Sequence, residues 1–213
     1  AVGYQAAYSN TTGTQNHAFG YRALYSTTTG NYNTAVGYDS NFSNTTGQQN
    51  TSVGKDTLRT NTTGDNNATL GNESMRNNTT GSQNTAVGHT ALYSNTTASS
   101  NTAVGYRSGY SNTTGASNTA VGKDALKENI TYNGNVAVGE NALLNTNQNY
   151  NTAVGSNSMQ ANTSGYVNSA FGRSSLQANT TGIYNTALGA YSLQANTTAS
   201  NNTAVGYQAG YSN

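Results

Sequence analysis

The chain has 213 residues, of which only 7% are charged, and its formal net charge is +1. Cys, Pro and Trp are absent. Because there is no Cys, disulfides and thiolate metal sites are excluded. The 15 charged residues are of both signs, so they form no basic stripe that would bind nucleic acid. We therefore expect no nucleic acid as a partner. No apolar run approaches the roughly 20 residues of a membrane helix, so we also expect no insertion into a membrane.

One repeated unit accounts for the whole sequence. It begins as Ala-Val-Gly at Ala1, eleven copies have 17 residues, and the copy from Ala137 to Thr152 has 16. Later copies begin at Ala18, Ala35, Ser52, Thr69, Ala86, Ala103, Ala120, Ala137, Ala153, Ala170, Ala187 and Ala204. We therefore predict a single repeat domain over residues 1–213, with twelve complete repeats and the start of a thirteenth, as a fragment of a longer fibre. A register held this long argues against disorder, although the composition is polar.

Two positions of the unit, numbered from its first Ala, are apolar. Position 2 is Val, Phe or Leu in every copy, and position 7 is usually Leu or Met. Both are predicted to form the core. Position 3 is Gly from Gly3 to Gly206, which indicates a backbone corner or an approach too close for a Cβ atom.

Position 16 is Asn in every complete copy of ordinary length, and the shorter copy has Asn at the equivalent place. Coils stacked about 4.8 Å apart would let each side-chain amide bond to the coils above and below it. Asn at a left-handed turn is the alternative, and both interpretations predict a solenoid. The predicted structural ladder consists of Asn16, Asn33, Asn50, Asn67, Asn84, Asn101, Asn118, Asn135, Asn151, Asn168, Asn185 and Asn202.

The length of the unit favours an all-β fold. Two-helix repeats need about 33 residues or more, whereas Asn-Thr-Ala-Val-Gly predicts a strand and Asn-Thr-Thr-Gly a turn or a second short strand. A short helical turn around residues 23–25 remains an alternative. We predict a parallel β-solenoid, or β-roll, with one coil per 17-residue repeat.

Only a few residue types occur on each of the two faces of the predicted strand. Thr and Val share one face, and Asn, Ala and Gly share the other. Strands restricted in this way are usually covered on both sides, and large apolar residues are scarce within one coil. We therefore expect the chain to pair with itself as a homo-oligomer, a trimer above all.

Two stretches carry a resemblance to a known class of repeats. Residues 84–94 read NTAVGHTALYS, and residues 202–213 read NTAVGYQAGYSN. They resemble the repeats upstream of the endosialidase-type chaperone domain in phage and phage-like tail fibre proteins, and more loosely the head repeats of trimeric autotransporter adhesins. The resemblance implies a trimeric parallel β-roll displayed outside the cell, on a cell surface or a virion. It implies no functional residues, because such repeats set the length and stiffness of a fibre.

No catalytic, cofactor or metal site is predicted, and the chain is expected not to be an enzyme. Ser and Thr abound without a nucleophile elbow or a matching acid and base. His17 and His89 occupy different repeat positions, and the turn at residues 64–67 lacks the spacing of calcium-binding repeats. Charged residues concentrate at positions 4, 5, 8 and 9, which are predicted to face solvent.

Tyr recurs at positions 4 and 8 of the unit. Stacked Tyr columns would either bind glycans or simply cover the rod surface. The candidate glycan-facing residues are Tyr4, Tyr8, Tyr21, Tyr25, Tyr106, Tyr110, Tyr207 and Tyr211.

Asn-Thr-Thr is a glycosylation sequon. Where the host does not glycosylate Asn, the sequence serves as turn chemistry only. The candidate acceptors are Asn10, Asn44, Asn61, Asn78, Asn95, Asn112, Asn179 and Asn196.

The favoured function is a structural fibre or adhesin shaft, an extracellular or virion-borne rigid spacer, with surface glycans or a host surface as further partners. The alternative is an ice-binding solenoid that uses the Thr columns at positions 11 and 12, such as Thr11, Thr28 and Thr45. Adjacent residues of a strand point to opposite faces, so these two columns suit a flat binding face only in part.

Overall fold

The computed structural model describes residues 1–211, and in that range it contains twelve short parallel strands and no helix. The strands are β1 (His17–Phe19), β2 (Thr34–Val36), β3 (Thr51–Val53), β4 (Ala68–Leu70), β5 (Thr85–Val87), β6 (Thr102–Val104), β7 (Thr119–Val121), β8 (Val136–Val138), β9 (Thr152–Val154), β10 (Ser169–Phe171), β11 (Thr186–Leu188) and β12 (Thr203–Val205). They form one sheet in chain order, with each strand paired to the same positions of the next repeat. The predicted parallel β-solenoid with one coil per repeat is therefore confirmed.

The invariant Gly of position 3 directly follows each strand. Gly54 has φ +137°, and a Cβ atom on it would lie 2.4 Å from the carbonyl oxygen of Gly71 in the next coil. L-residues rarely adopt this φ, and the carbonyl leaves no space for a side chain. Both reasons that the sequence suggested for Gly, a corner and a close approach, therefore apply at this position.

The residues after the corner form a turn rather than a helix. Positions 5 and 7 have positive φ, as in Asp56 (52°) and Leu58 (51°), which excludes the helical turn considered from the sequence. The N–H groups of this segment reach the next coil: Leu58 donates to the Ser74 carbonyl at 3.0 Å, and Thr60 donates to the Arg76 carbonyl at 3.1 Å. Left-handed backbone is unfavourable for non-Gly residues, and these bonds between coils offset its cost.

The core contains the Ala of position 1 and the large residue of position 7. Both columns are almost fully buried, as at Ala86 and Leu58. The apolar residue of position 2 instead faces outward, and Val104 is 36% exposed. Its assignment to the core was therefore wrong. Alternation along the strand buries either position 1 or its two neighbours, and the structure buries position 1, which is Ala in most copies.

Polar residues replace core Ala where they have partners. The position-1 side chains of Ser52 and Thr69 are buried beside position-6 side chains of the preceding repeat. Ser40 Oγ lies 2.8 Å from Ser52 Oγ, and Thr57 Oγ1 donates to Thr69 Oγ1 at 3.0 Å. Two hydroxyls thus replace two methyl groups without leaving a buried polar atom unsatisfied.

Asn41 is a buried polar residue without a partner in the column of mostly Leu and Met residues at position 7. It occupies position 7 between Leu24 and Leu58 and is fully buried, yet neither Nδ2 nor Oδ1 has a hydrogen-bond partner. An unsatisfied buried polar group costs about 1–3 kcal/mol. Asn41 therefore interrupts the apolar core, which is divided into two clusters on either side of it.

Replacing Asn41 with Leu is expected to raise the free energy of unfolding by about 1–3 kcal/mol, because the neighbouring coils already accommodate Leu at this position. Asn44→Leu is the matched control, since Asn44 is equally buried but bonds to Gly47 and Asn61; this substitution is expected to destabilise the rod. Urea unfolding followed by circular dichroism measures both. If both substitutions shift stability in the same direction, hydrogen bonding does not distinguish the two sites.

Candidate functional site

The Asn side chains of position 16 connect three successive coils. The backbone N–H of Asn101 donates to Asn84 Oδ1 at 3.0 Å, and Asn101 Nδ2 donates to the Gly115 carbonyl at 2.9 Å. Asn101 Oδ1 in turn accepts the backbone N–H of Asn118 at 2.9 Å. The column is buried apart from its end members Asn16 and Asn202. Its main partners are backbone groups, and the amide-to-amide bonds that the sequence suggested occur between some neighbours, as where Asn84 Nδ2 donates to Asn67 Oδ1 at 3.1 Å.

A second Asn ladder lies at position 10, and it joins side chains directly. Asn61 Nδ2 donates to Asn44 Oδ1 at 2.9 Å and to the carbonyl of Gly64 in its own turn at 3.0 Å. In two copies Thr replaces Asn and keeps an acceptor, as where Asn162 Nδ2 donates to Thr146 Oγ1 at 3.3 Å. Sequence reasoning missed this ladder, although the near-invariance of Asn at position 10 was a signal for it.

The position-10 ladder contains the Asn residues of the glycosylation sequons. Seven of the eight candidate acceptors are buried, and only Asn10 in the first coil is exposed; the buried ones are Asn44, Asn61, Asn78, Asn95, Asn112, Asn179 and Asn196. In the interior coils the Nδ2 group donates to the previous coil and to its own turn. N-glycosylation would replace one of its hydrogens and place a sugar inside the rod. Glycans at the buried sequons are therefore incompatible with the folded coil.

The Tyr columns exist, but their rings cover one another. Tyr21 stacks between Tyr4 and Tyr38, with ring centroids 5.3 and 4.9 Å apart. Tyr25 stacks in the same way between Tyr8 and Phe42, at 5.3 and 5.0 Å. Stacked rings present edges and hydroxyls to solvent rather than faces. The interior members therefore offer little ring surface to a sugar.

The other candidate Tyr residues lie in separate coils and join neither of these stacks. Tyr106 stacks on His89 at 5.7 Å, and Tyr110 stacks on Tyr93 at 5.3 Å. Near the end of the described chain, Tyr207 meets the edge of Tyr191 at 6.0 Å, and Tyr211 is exposed. The eight candidate Tyr residues thus do not form one continuous glycan-binding surface.

Between the first two Tyr columns lies a cluster of paired charges. Asp39 is buried and accepts two hydrogen bonds from Arg22 at 2.9 and 2.7 Å, and Arg59 approaches it at 3.3 Å. The hydrogen bond to Asp39 raises the pKa of Arg22. The Arg22 guanidinium also lies over the Phe42 ring, 4.7 Å from its centroid. Position 5 was expected to face solvent, but its alternating φ turns Asp39 inward beneath these side chains.

The Thr columns at positions 11 and 12 differ in their hydrogen bonding. Thr62 Oγ1 donates to the Thr79 carbonyl of the next coil at 3.0 Å, and the same bond recurs along position 11. Thr63 and the other Thr side chains of position 12 are exposed. The position-11 hydroxyls are therefore engaged within the rod.

The outer face of the sheet carries two uncharged columns side by side. Position 17 is mostly Thr, and position 2 is Val, Phe or Leu. In residues 1–211, the side-chain hydroxyls of Thr85, Thr102 and Thr119 have no hydrogen-bond partner in the protein. The apolar side chains that are more than a third exposed are Val2, Phe19, Val36, Leu70, Val104, Phe171, Leu188 and Val205. We call these two columns the strand face.

The described part of the chain shows no metal cluster and no helix that could cross a membrane. Comparisons with models of protein families, with curated proteins and with solved structures give no match. The fold and its ladders therefore define a class by architecture alone: a β-solenoid repeat protein with coils of 17 residues.

Replacing Asn101 with Ala is expected to lower stability far more than replacing Lys123 with Ala. The first substitution leaves the Asn118 N–H without its acceptor, at roughly 1–3 kcal/mol for a buried group, and removes one of the two side-chain amides that donate to the Gly115 carbonyl, the other being Asn112 Nδ2. Lys123 pairs with Glu140 at 2.8 Å, but both side chains are about half exposed, and such a pair contributes less than about 1 kcal/mol. Thermal melts of the two variants measure the difference. A parent-like melt for Asn101→Ala, together with collapse for Lys123→Ala, would contradict the ladder.

Proposed function

We propose that this chain is a non-catalytic shaft segment of an extracellular fibre or adhesin, displayed on a cell surface or a virion. In this proposal, copies of the chain associate through the strand face, three copies above all, to form a rigid spacer. The observation that carries the proposal is the apolar column of position 2, whose members are exposed or half-buried at the surface of a rod whose interior is already filled. The resemblance to tail fibre repeats supports the location outside the cell, where a host surface or its glycans would be the distal partner.

The strand face is suited to contact a second copy of the rod because its apolar groups are spaced regularly along the rod. The apolar groups recur once per coil, about every 4.8 Å, and an identical rod repeats with the same spacing along its whole length. No Asp, Glu, Lys or Arg occupies position 17 or position 2 in any copy, so no like charges oppose the contact. Threefold closure around a common axis would cover the face on every copy and leave none exposed.

The bonds between coils support the role of a spacer. Backbone bonds link every pair of successive strands, and buried Asn side chains add two further ladders. At about 4.8 Å per coil, the repeats form a rod roughly 60 Å long. Bending such a rod would break several of these bonds at one coil.

Charged substitutions on the strand face are expected to separate the copies. We expect the parent to have a mass three times that of the 22.0 kDa chain by light scattering. Combining Val87→Glu, Val104→Lys and Val121→Glu is expected to give the monomer, because alternating charges avoid repulsion within the column but would be desolvated between chains.

The matched control places the same charges on position 12 of the same coils, as Thr97→Glu, Thr114→Lys and Thr131→Glu. These side chains are exposed, so the control is expected to keep the mass of the parent. A monomeric parent, or equal dissociation of the control, would refute association through the strand face.

Ice binding is the second candidate, and the unpartnered Thr hydroxyls of the strand face favour it. Positions 17 and 2 point to the same side of the sheet, so Thr and Val alternate in two regular outward columns. The face differs from the position-11 and position-12 columns suggested by the sequence. Since copies of the chain would bury this face, a trimer and an ice-binding monomer are mutually exclusive.

Ice recrystallisation and thermal hysteresis assays decide between the two. An ice-binding chain would be monomeric and inhibit recrystallisation, and it would lose this activity in the strand-face variant while the position-12 control retains it. Absence of both activities in the parent would remove the second candidate.

A further inference from the structure

One corner of the rod departs from the polar composition of its repeat. Positions 14 and 15 are polar or small in most coils, but three successive coils place aromatic and aliphatic residues there. They are Tyr150, Tyr166, Val167, Ile183 and Tyr184, which we call the Tyr corner. All are exposed except Ile183, which is half-buried. Because the remaining coils fold without these side chains, the solenoid itself does not require them.

Tyr166 and Ile183 occupy position 14, where other coils have a side chain that accepts a recurring hydrogen bond. Short polar side chains at position 14 accept the backbone N–H of the same position in the preceding coil. Examples are Asp65 with Gln48 at 2.7 Å and Ser99 with Ser82 at 3.0 Å. Ile183 has no acceptor atom in its side chain, and the Tyr166 ring packs against Tyr184. The Tyr corner therefore lacks hydrogen bonds between coils that stabilise position 14 elsewhere in the rod.

The rings of the Tyr corner are arranged differently from those of the Tyr columns. Tyr166 and Tyr184 meet edge to face, with centroids 5.6 Å apart and an interplanar angle of 76°, so their faces do not cover each other as stacked rings do. The hydrogen bond with Tyr184 raises the pKa of Tyr166.

Tyr150 lies against Gly134, the position-15 residue of the preceding coil. A Cβ atom on Gly134 would approach two carbons of the Tyr150 ring at 2.8 and 2.9 Å. The ring thus rests on the Gly134 backbone, and the side chain remains 64% exposed. Gly at this position supports the ring while leaving most of it in solvent.

We propose that the Tyr corner binds a neutral oligosaccharide. Ring faces suit the C–H surface of a sugar, and Tyr hydroxyls can donate to and accept from its hydroxyls. From position 10 to position 17, the repeats that begin at Ala120, Ala137, Ala153 and Ala170 contain no charged residue, so nothing there selects an ionic ligand. Tyr150 and Tyr184 lie two coils apart, about 10 Å at the usual strand spacing, which suits a chain of a few sugar units.

A second copy of the rod fits this corner less well. Contacts between identical rods would repeat at every coil, as on the strand face, whereas the Tyr corner is confined to three coils. An apolar peptide would leave the Tyr hydroxyls unpaired when it covered them, at a cost that a sugar avoids. Sugar binding here is therefore separate from association of copies through the strand face.

Saturation-transfer NMR with neutral trisaccharides of glucose, galactose, mannose and N-acetylglucosamine tests the proposal on the full chain. At least one is expected to bind the parent, with saturation from Tyr ring protons. Tyr184→Ala is expected to weaken that binding roughly tenfold, equivalent to about 1.4 kcal/mol. Tyr184→Phe keeps the ring and is expected to retain more of the affinity than Tyr184→Ala.

Tyr32→Ala is the matched control. Tyr32 also occupies position 15, with φ 60° and 52% exposure, but its coil has no apolar neighbour at position 14. This variant is expected to bind the sugar as the parent does, and parent-like melting of all three variants would show that they fold. The proposal is overturned if no trisaccharide binds the parent, or if Tyr32→Ala weakens binding as much as Tyr184→Ala. A change of oligomeric mass in Tyr184→Ala without sugar binding would likewise overturn it and identify a contact between copies.

Discussion

Burial of Asn amides between coils is the interaction on which the rest of the structure depends. A buried amide is favourable only when its hydrogen bonds are made, and the interior Asn residues of positions 10 and 16 make them largely with the neighbouring coils. These partners are in place only if successive coils stack in identical register. The shorter coil preserves the register, since Asn135 Nδ2 still donates to the Gln148 carbonyl at 2.8 Å. A constant repeat length is thus the direct consequence of a polar interior.

This constraint places sequence variation on the outside of the rod. Interior positions accept Ala, Leu, Asn or a paired hydroxyl, whereas positions 4, 8, 14 and 15 vary widely between copies. The strand face is the exception, because it faces outward and yet remains uncharged in every copy. An uncharged face that repeats in every coil fits a partner with the same repeat, which is another copy of the rod. An aromatic corner confined to three coils fits a short ligand that binds only there. The two proposals therefore concern different surfaces of the same rod.

Much of the fold was predictable from the sequence, because its strongest determinants recur at fixed positions. The invariant Gly and Asn indicated stacked coils, and the parallel sheet confirms them. The orientation of the strand was not predictable from one unit: Val has the larger apolar side chain, but the Ala of position 1 packs against the Leu column. The burial of Asn61 and its equivalents was also missed, since the sequon and the turn explained Asn-Thr-Thr without it. Burial depends on which residues of other coils fill the interior, and a single repeat does not show this.

Hydrogen exchange measured by NMR tests the central claim, that Asn side chains hold the coils together, most directly. The backbone N–H groups of Asn84, Asn101 and Asn118 donate to Asn side chains of the preceding coils, whereas those of Thr85, Thr102 and Thr119 donate to backbone carbonyls of the sheet. If the side-chain ladder is as persistent as the sheet, both sets exchange equally slowly, because both open only when coils separate. Rapid exchange of the Asn set beside a protected Thr set would show that the ladder is not formed and would contradict the account.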